Sequence, residues 1–126
     1  MATTEMDYMN VGSGEINATT GDEGVLSVNT QHTIDTLLGD KLDSFVCVLP
    51  YNSGNKRFIY YWDSNLNTQY VVFAYSNNMG VYTLADIRFG GGVVSVNTTT
   101  GIVVIHTPTS DTTTGCKWYA AVASNW

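Results

Sequence analysis

From Ser44 onward, apolar and polar positions alternate in short blocks. SFVCVLPY, KRFIYYW, QYVVFAY, GVYTLADIRF, GVVSVNT, GIVVIHT and CKWYAAVA follow one another, with turn-forming runs such as N-S-G-N, D-S-N-L-N-T, S-N-N-M, G-G-G and P-T-S-D-T-T-T-G between them. Period-two alternation rich in β-branched and aromatic residues, broken by Gly, Asn, Asp and Ser, is the pattern of half-buried strands with short connections. Val25, Leu26 and Val28 supply one further strand upstream. The pattern predicts an all-β fold: an antiparallel β-sandwich of about eight strands, jelly-roll or immunoglobulin-like, spanning residues 23–126.

Two stretches depart from alternation. Residues 1–22 are rich in Thr, Gly, Glu and Asp and hold only isolated apolar residues (Met6, Tyr8, Met9, Val11), so they read as an N-terminal arm, flexible or ordered by a partner. Between Gln31 and Phe45, Ile34, Leu37, Leu38 and Leu42 fall at helical spacing, although Gly39 interrupts them. One short helix or turn is expected there.

A phrase is also written twice: Gly24–Thr30 reads GVLSVNT and Gly92–Thr98 reads GVVSVNT. The second copy leads through Thr99-Thr100-Gly101 into Ile102–Ile105, which predicts a β-hairpin with Gly101 at a positive φ. The first copy has Thr33 where the second has Gly101, so the same turn does not follow. Either the two phrases are strands reached independently in a Val/Thr/Asn-biased composition, or they are equivalent strands of the two sheets.

Composition sharpens the functional choices. Charged residues make up only 13% of the 126 positions, so neutral hydrogen-bonding groups carry most of the polarity. The net charge is −6 with only five Lys and Arg, and no basic cluster exceeds Lys56-Arg57. Phosphate backbones are held by clustered cations, so nucleic acid is excluded as a partner, and an anionic membrane with it. No apolar run approaches the roughly 20 residues of a membrane span, and MATTEMDYMN lacks the features of a secretion signal, so synthesis in a cytoplasm is expected. Cys47 and Cys116 lie in apolar patterns and read as two separate buried thiols.

Catalytic chemistry finds little to work with. His32 and His106 are the only histidines, and neither they nor the cysteines show metal-ligand spacing. His106 alternates with Val104 and Ile102 and reads as a satisfied histidine at a core edge, His32 as part of a Thr-rich turn. Asp63, Asp86 and Asp111 sit beside turns or basic neighbours, where solvated carboxylates are ordinary. No catalytic residue, metal or cofactor is expected, and the chain reads as a non-enzyme.

The aromatic residues are the richest feature. Phe58, Tyr60 and Trp62 share one face of a strand while Ile59 and Tyr61 take the other, and Trp118 and Tyr119 point to opposite faces of the last strand. A sandwich has one inner face per strand, so some rings are left for a second interface. The candidates are Tyr61, Trp62, Asp63, Asn65, Asn67, Trp118, Tyr119 and Trp126, as a subunit contact or as a platform for a cell-surface glycan.

The opening TTEMDYMNVGSG resembles the start of small virion proteins from phages of gut bacteria, and VSVNTTTGIVVIHT is similar to strand-turn-strand phrases of phage fibre and decoration proteins. The resemblance covers the first dozen residues and one hairpin. It implies a non-enzymatic head or tail protein of a virion: a homo-oligomer, with a trimer favoured, attached to other virion proteins through its arm. Tyr8 and Met9 would be the docking residues of that arm. A carbohydrate-binding module is the alternative.

Overall fold

The computed structural model describes residues 9–11, 15–50, 57–65, 68–75, 78–83, 91–108 and 115–123. These form ten strands: β1 Met9–Val11, β2 Glu15–Asp22, β3 Gln31–Asp35, β4 Ser44–Pro50, β5 Arg57–Asp63, β6 Thr68–Tyr75, β7 Asn78–Thr83, β8 Gly92–Asn97, β9 Ile102–His106 and β10 Lys117–Ala121. A seven-stranded sheet has the order β1-β2-β10-β4-β5-β6-β7, and a three-stranded sheet the order β3-β9-β8. Every neighbouring pair is antiparallel.

The inner faces of the two sheets meet in one core. The larger sheet contributes Phe45, Cys47, Leu49, Phe58, Tyr60 and Trp62 at alternate positions of β4 and β5, with Trp118 from β10. The smaller sheet contributes Ile34, Val93, Val103 and Ile105. Phe45 and Trp118 stack with ring centroids 6.2 Å apart. Each such side chain removed from water contributes about 1.5–3 kcal/mol, which makes this seam the main source of stability. The all-β, sandwich-like expectation therefore holds, with ten strands among the described residues in place of about eight.

The difference in count has physical causes. Glu15–Asp22, expected in the arm, is an interior strand between β1 and β10, with Thr19 opposite Ala120 and Gly21 opposite Trp118. Asn17, Ala18, Thr19 and Gly21 are all buried and Ile16 packs against the core, so the strand shows no apolar alternation that could reveal it. Thr19 Oγ1 is satisfied by donating to the Thr36 carbonyl at 2.7 Å. Gly21 is small because the Trp118 indole lies over it, 2.5 Å from where a Cβ would stand. The boundary expected between residues 22 and 23 thus does not divide arm from sheet.

Gln31–Asp35 is likewise a strand, where the spacing predicts a helix; the only helical turn between Gln31 and Phe45 is the 3₁₀ segment Gly39–Lys41. Ile34, Leu38 and Leu42 reach the core, but Leu37 is 46% exposed with φ 65°. Asp35 Oδ1 accepts the Leu37 N–H at 2.9 Å, and this side-chain turn replaces the first turn of a helix.

The repeated phrase adopts two structures. The second copy forms β8 and the predicted hairpin to β9: Gly101 has φ 73° and donates its N–H to the Asn97 carbonyl at 2.8 Å. Asn97 Oδ1 accepts the N–H groups of Thr99 and Thr100. The first copy is irregular, with Asn29 at φ 49°, so it is not the strand expected from Val25, Leu26 and Val28, nor the equivalent of β8. Its polar backbone is tied instead to the end of β9. Asn29 donates to the Pro108 carbonyl at 2.8 Å, while Thr107 Oγ1 donates to the Ser27 carbonyl and accepts the Thr30 N–H.

Candidate functional site

Register sorts the candidate residues onto two faces. Trp62 and Trp118 point inward and are 5% and 3% exposed, so the expectation that they belong to a surface platform is corrected. Strand alternation forces this result. Trp62 lies opposite Phe45, and Trp118 lies between Cys47 and Gly21, all on the core face.

Tyr61 and Tyr119 take the outer face of the larger sheet. Both are register partners of Val46, giving one row Thr20, Tyr119, Val46, Tyr61 across four strands. The next row holds Val48 and Ile59 between Lys117 and the neighbouring strand β6. Tyr61, Tyr119, Val46, Val48 and Ile59 are all half-buried. The charges stand at the margins: Lys117 pairs with Asp22 at 3.7 Å, and Asp63 closes the other end of β5.

Asp63 organises that end. Its Oδ2 accepts the Tyr61 hydroxyl at 2.7 Å and its Oδ1 accepts the Asn65 N–H at 2.7 Å, fixing the turn after β5. Asp43 accepts both the Ser64 hydroxyl and the Ser64 N–H, from its side chain and its carbonyl respectively. The Tyr61 phenol is pushed up to about 12, first by burial, then by its hydrogen bond to Asp63 and the negative charges of Asp63 and Asp43. Asn65 is exposed in this turn. Asn67, Trp126 and Tyr8 lie outside the described residues, and Met9 begins β1.

A second constellation was not anticipated. Glu23 follows β2 with a fully buried carboxylate: Oε1 is 2.9 Å from His32 Nε2, and Oε2 accepts the Trp118 Nε1–H at 3.1 Å. Its N–H donates to the Cys116 carbonyl at 2.8 Å, extending the β2–β10 ladder by one pair. Glu23 therefore joins β3 of the smaller sheet to β10 of the larger. His32 is nine residues from Glu23 but Trp118 is 95 away; the one available signal was that a buried indole N–H needs an acceptor. His32, expected in a turn, lies in β3.

The remaining reactive groups are accounted for by contacts. His106 shares the outer face of the smaller sheet with Ile102 and Val104, and its Nε2 is 2.9 Å from Asn29 Oδ1. Cys47 and Cys116 are two free, buried thiols, as expected, and the neighbouring Cys116 thiol helps to push the Cys47 thiol up. No group of three or more His, Cys, Asp or Glu side chains among the described residues could hold a metal ion. No helix among the described residues is long and apolar enough to cross a membrane. No family model, curated protein or solved structure matches the chain.

Proposed function

We propose that the chain is a non-enzymatic structural protein of a phage virion, a head or tail decoration or fibre component, and that copies of it associate through the outer face of the larger sheet. The observation that carries this reading is the uncharged row Tyr119, Val46, Tyr61, continued by Val48 and Ile59, with Lys117, Asp22 and Asp63 only at its margins. An apolar middle with a charged rim is the composition of a subunit contact. Burial of Trp62 and Trp118 removes two rings from any glycan platform. The finer architecture, jelly-roll or immunoglobulin-like, belongs to the same proposal, as does the docking of Tyr8 and Met9 on other virion proteins.

Light scattering over a dilution series tests the reading. The expected result is a closed oligomer, with a trimer as the favoured size, that Tyr119→Glu converts to a folded monomer. Thr33→Glu, on the outer face of the smaller sheet, is expected to leave the oligomer intact. A wild-type monomer at every concentration, with saturable binding to an oligosaccharide, would replace this reading by the carbohydrate-binding one.

A further inference from the structure

Cys47 and Cys116 are far apart in the sequence, yet the fold brings them onto the same face of adjacent strands. Trp118 is the register partner of Cys47, and Cys116 lies two residues before Trp118, so the cysteines are diagonal neighbours across the β4–β10 ladder. Both are 0% exposed, and the neighbouring Cys116 thiol helps to push the Cys47 thiol up. Diagonal neighbours in an antiparallel pair are about 7–8 Å apart, with their Cβ atoms somewhat closer. A disulfide needs Cβ atoms roughly 3.5–4.5 Å apart, so closing it requires the backbone just before β10 to move toward β4.

We propose that Cys47 and Cys116 are an oxidisable pair that closes into a disulfide when the protein meets a low-molecular-weight disulfide, locking β4 to β10. The step is thiol–disulfide exchange. The thiolate of one cysteine attacks the small disulfide, forming a mixed disulfide and expelling one small thiolate. The thiolate of the second cysteine then attacks the protein sulfur of that mixed disulfide, forming the Cys47–Cys116 bond and expelling the second small thiolate. Two protein thiols are oxidised, one external disulfide is reduced to two thiols, and the two protein protons end on the leaving thiols.

Burial sets the kinetics. Desolvation, then the hydrogen bond and charge of the neighbouring cysteine, push the Cys47 thiol well above its ordinary range, so thiolate is scarce in the closed fold. Exchange therefore waits for local opening, and Cys116 lies just ahead of the first residue of β10, where opening must break the Glu23 N–H bond to the Cys116 carbonyl. Once formed, the bond is shielded from reductant by the same burial. It closes a loop that holds β5 to β9, so it constrains the unfolded chain strongly.

The test is equilibration of the full chain in redox buffers of reduced and oxidised glutathione, with peptide mapping of the quenched products by mass spectrometry. The expected product is one intrachain Cys47–Cys116 disulfide. Its effective concentration against glutathione should be at least about 100-fold higher in the folded chain than in the urea-unfolded chain, with a rise in thermal midpoint on the order of 10 °C. Cys116→Ala should yield no intrachain product. An effective concentration no higher in the folded chain, stable glutathione adducts at equilibrium, or interchain products alone would overturn the proposal; none of these outcomes depends on the folding of a variant.

Discussion

The outer faces of the two sheets differ although both are built from β-branched strands. The larger sheet turns Tyr119, Val46, Tyr61, Val48 and Ile59 outward, while the smaller turns out Gln31, Thr33, Asp35, Ser95, Asn97 and His106 around Ile102 and Val104. The second set is mostly polar, whereas the first is aliphatic and aromatic apart from its two phenol hydroxyls. Half-buried apolar residues on the non-core face gain from cross-strand packing but keep part of their surface in water, and their concentration on one sheet is the basis of the proposal that a second copy packs there. The smaller sheet also interrupts its edge strand β8 with a register shift between Val93 and Ser95, a device that discourages pairing with another chain.

The comparison can be broken first at the junction of the sheets. Replacing Glu23 by Ala leaves the Trp118 indole N–H without its acceptor and removes the tie to β3, and is expected to cost about 3 kcal/mol in urea unfolding. Glu23→Gln keeps an oxygen for Trp118 and should cost less. Gly101→Ala comes next, at about 2 kcal/mol: φ is 73°, and the new Cβ would stand 2.6 Å from the Gly39 nitrogen. Its effect should fall on the smaller sheet, with amide exchange accelerated in β8 and β9 more than in β4 and β5.

The smallest effect concerns the larger sheet's outer face. Because the folded phenol of Tyr61 is raised from 10 to about 12, the folded state holds its proton more tightly than the unfolded state. That stabilisation is fully present below pH 10 and is lost as the pH rises from 10 through about 12. Ultraviolet titration should show one tyrosine ionising late, and Tyr61→Phe should remove both that titration step and the extra alkaline destabilisation.

Much of this architecture was legible in alternation. Strands β4, β5, β9 and β10 carry large apolar residues at every second position, and the β8–β9 hairpin announced itself through Gly101. Strand β2 was hidden because Asn17, Ala18, Thr19 and Gly21 are all buried without apolar alternation, and a hydrogen bond to Thr36 and the Trp118 ring replace apolar bulk. The phrase GVLSVNT failed as a strand because its partner is not a strand: Thr107 and Pro108 supply hydrogen bonds at positions that suit a bent backbone. Local spelling is nearly identical in the two copies, so tertiary hydrogen bonding decides between them.

The candidate site was legible only in part, for a related reason. Alternation separated Tyr61 from Trp62 and Tyr119 from Trp118, but it could not say which member of each pair faced the core. The register with Phe45 and Cys47 decides that. Glu23, His32 and Trp118 had no signature beyond the need of a buried indole N–H for an acceptor, because the three come together only when β3 crosses to the second sheet.

The most direct test of the proposed assembly face is photo-crosslinking of the full chain in solution. A photoreactive aromatic residue in place of Tyr119, and in a second variant in place of Thr33, would report which outer face lies against another subunit. The account predicts subunit-to-subunit crosslinks from position 119, mapping to β4, β5 or β10 of the other copy, and none from position 33. Crosslinks from position 33 with none from position 119 would contradict it.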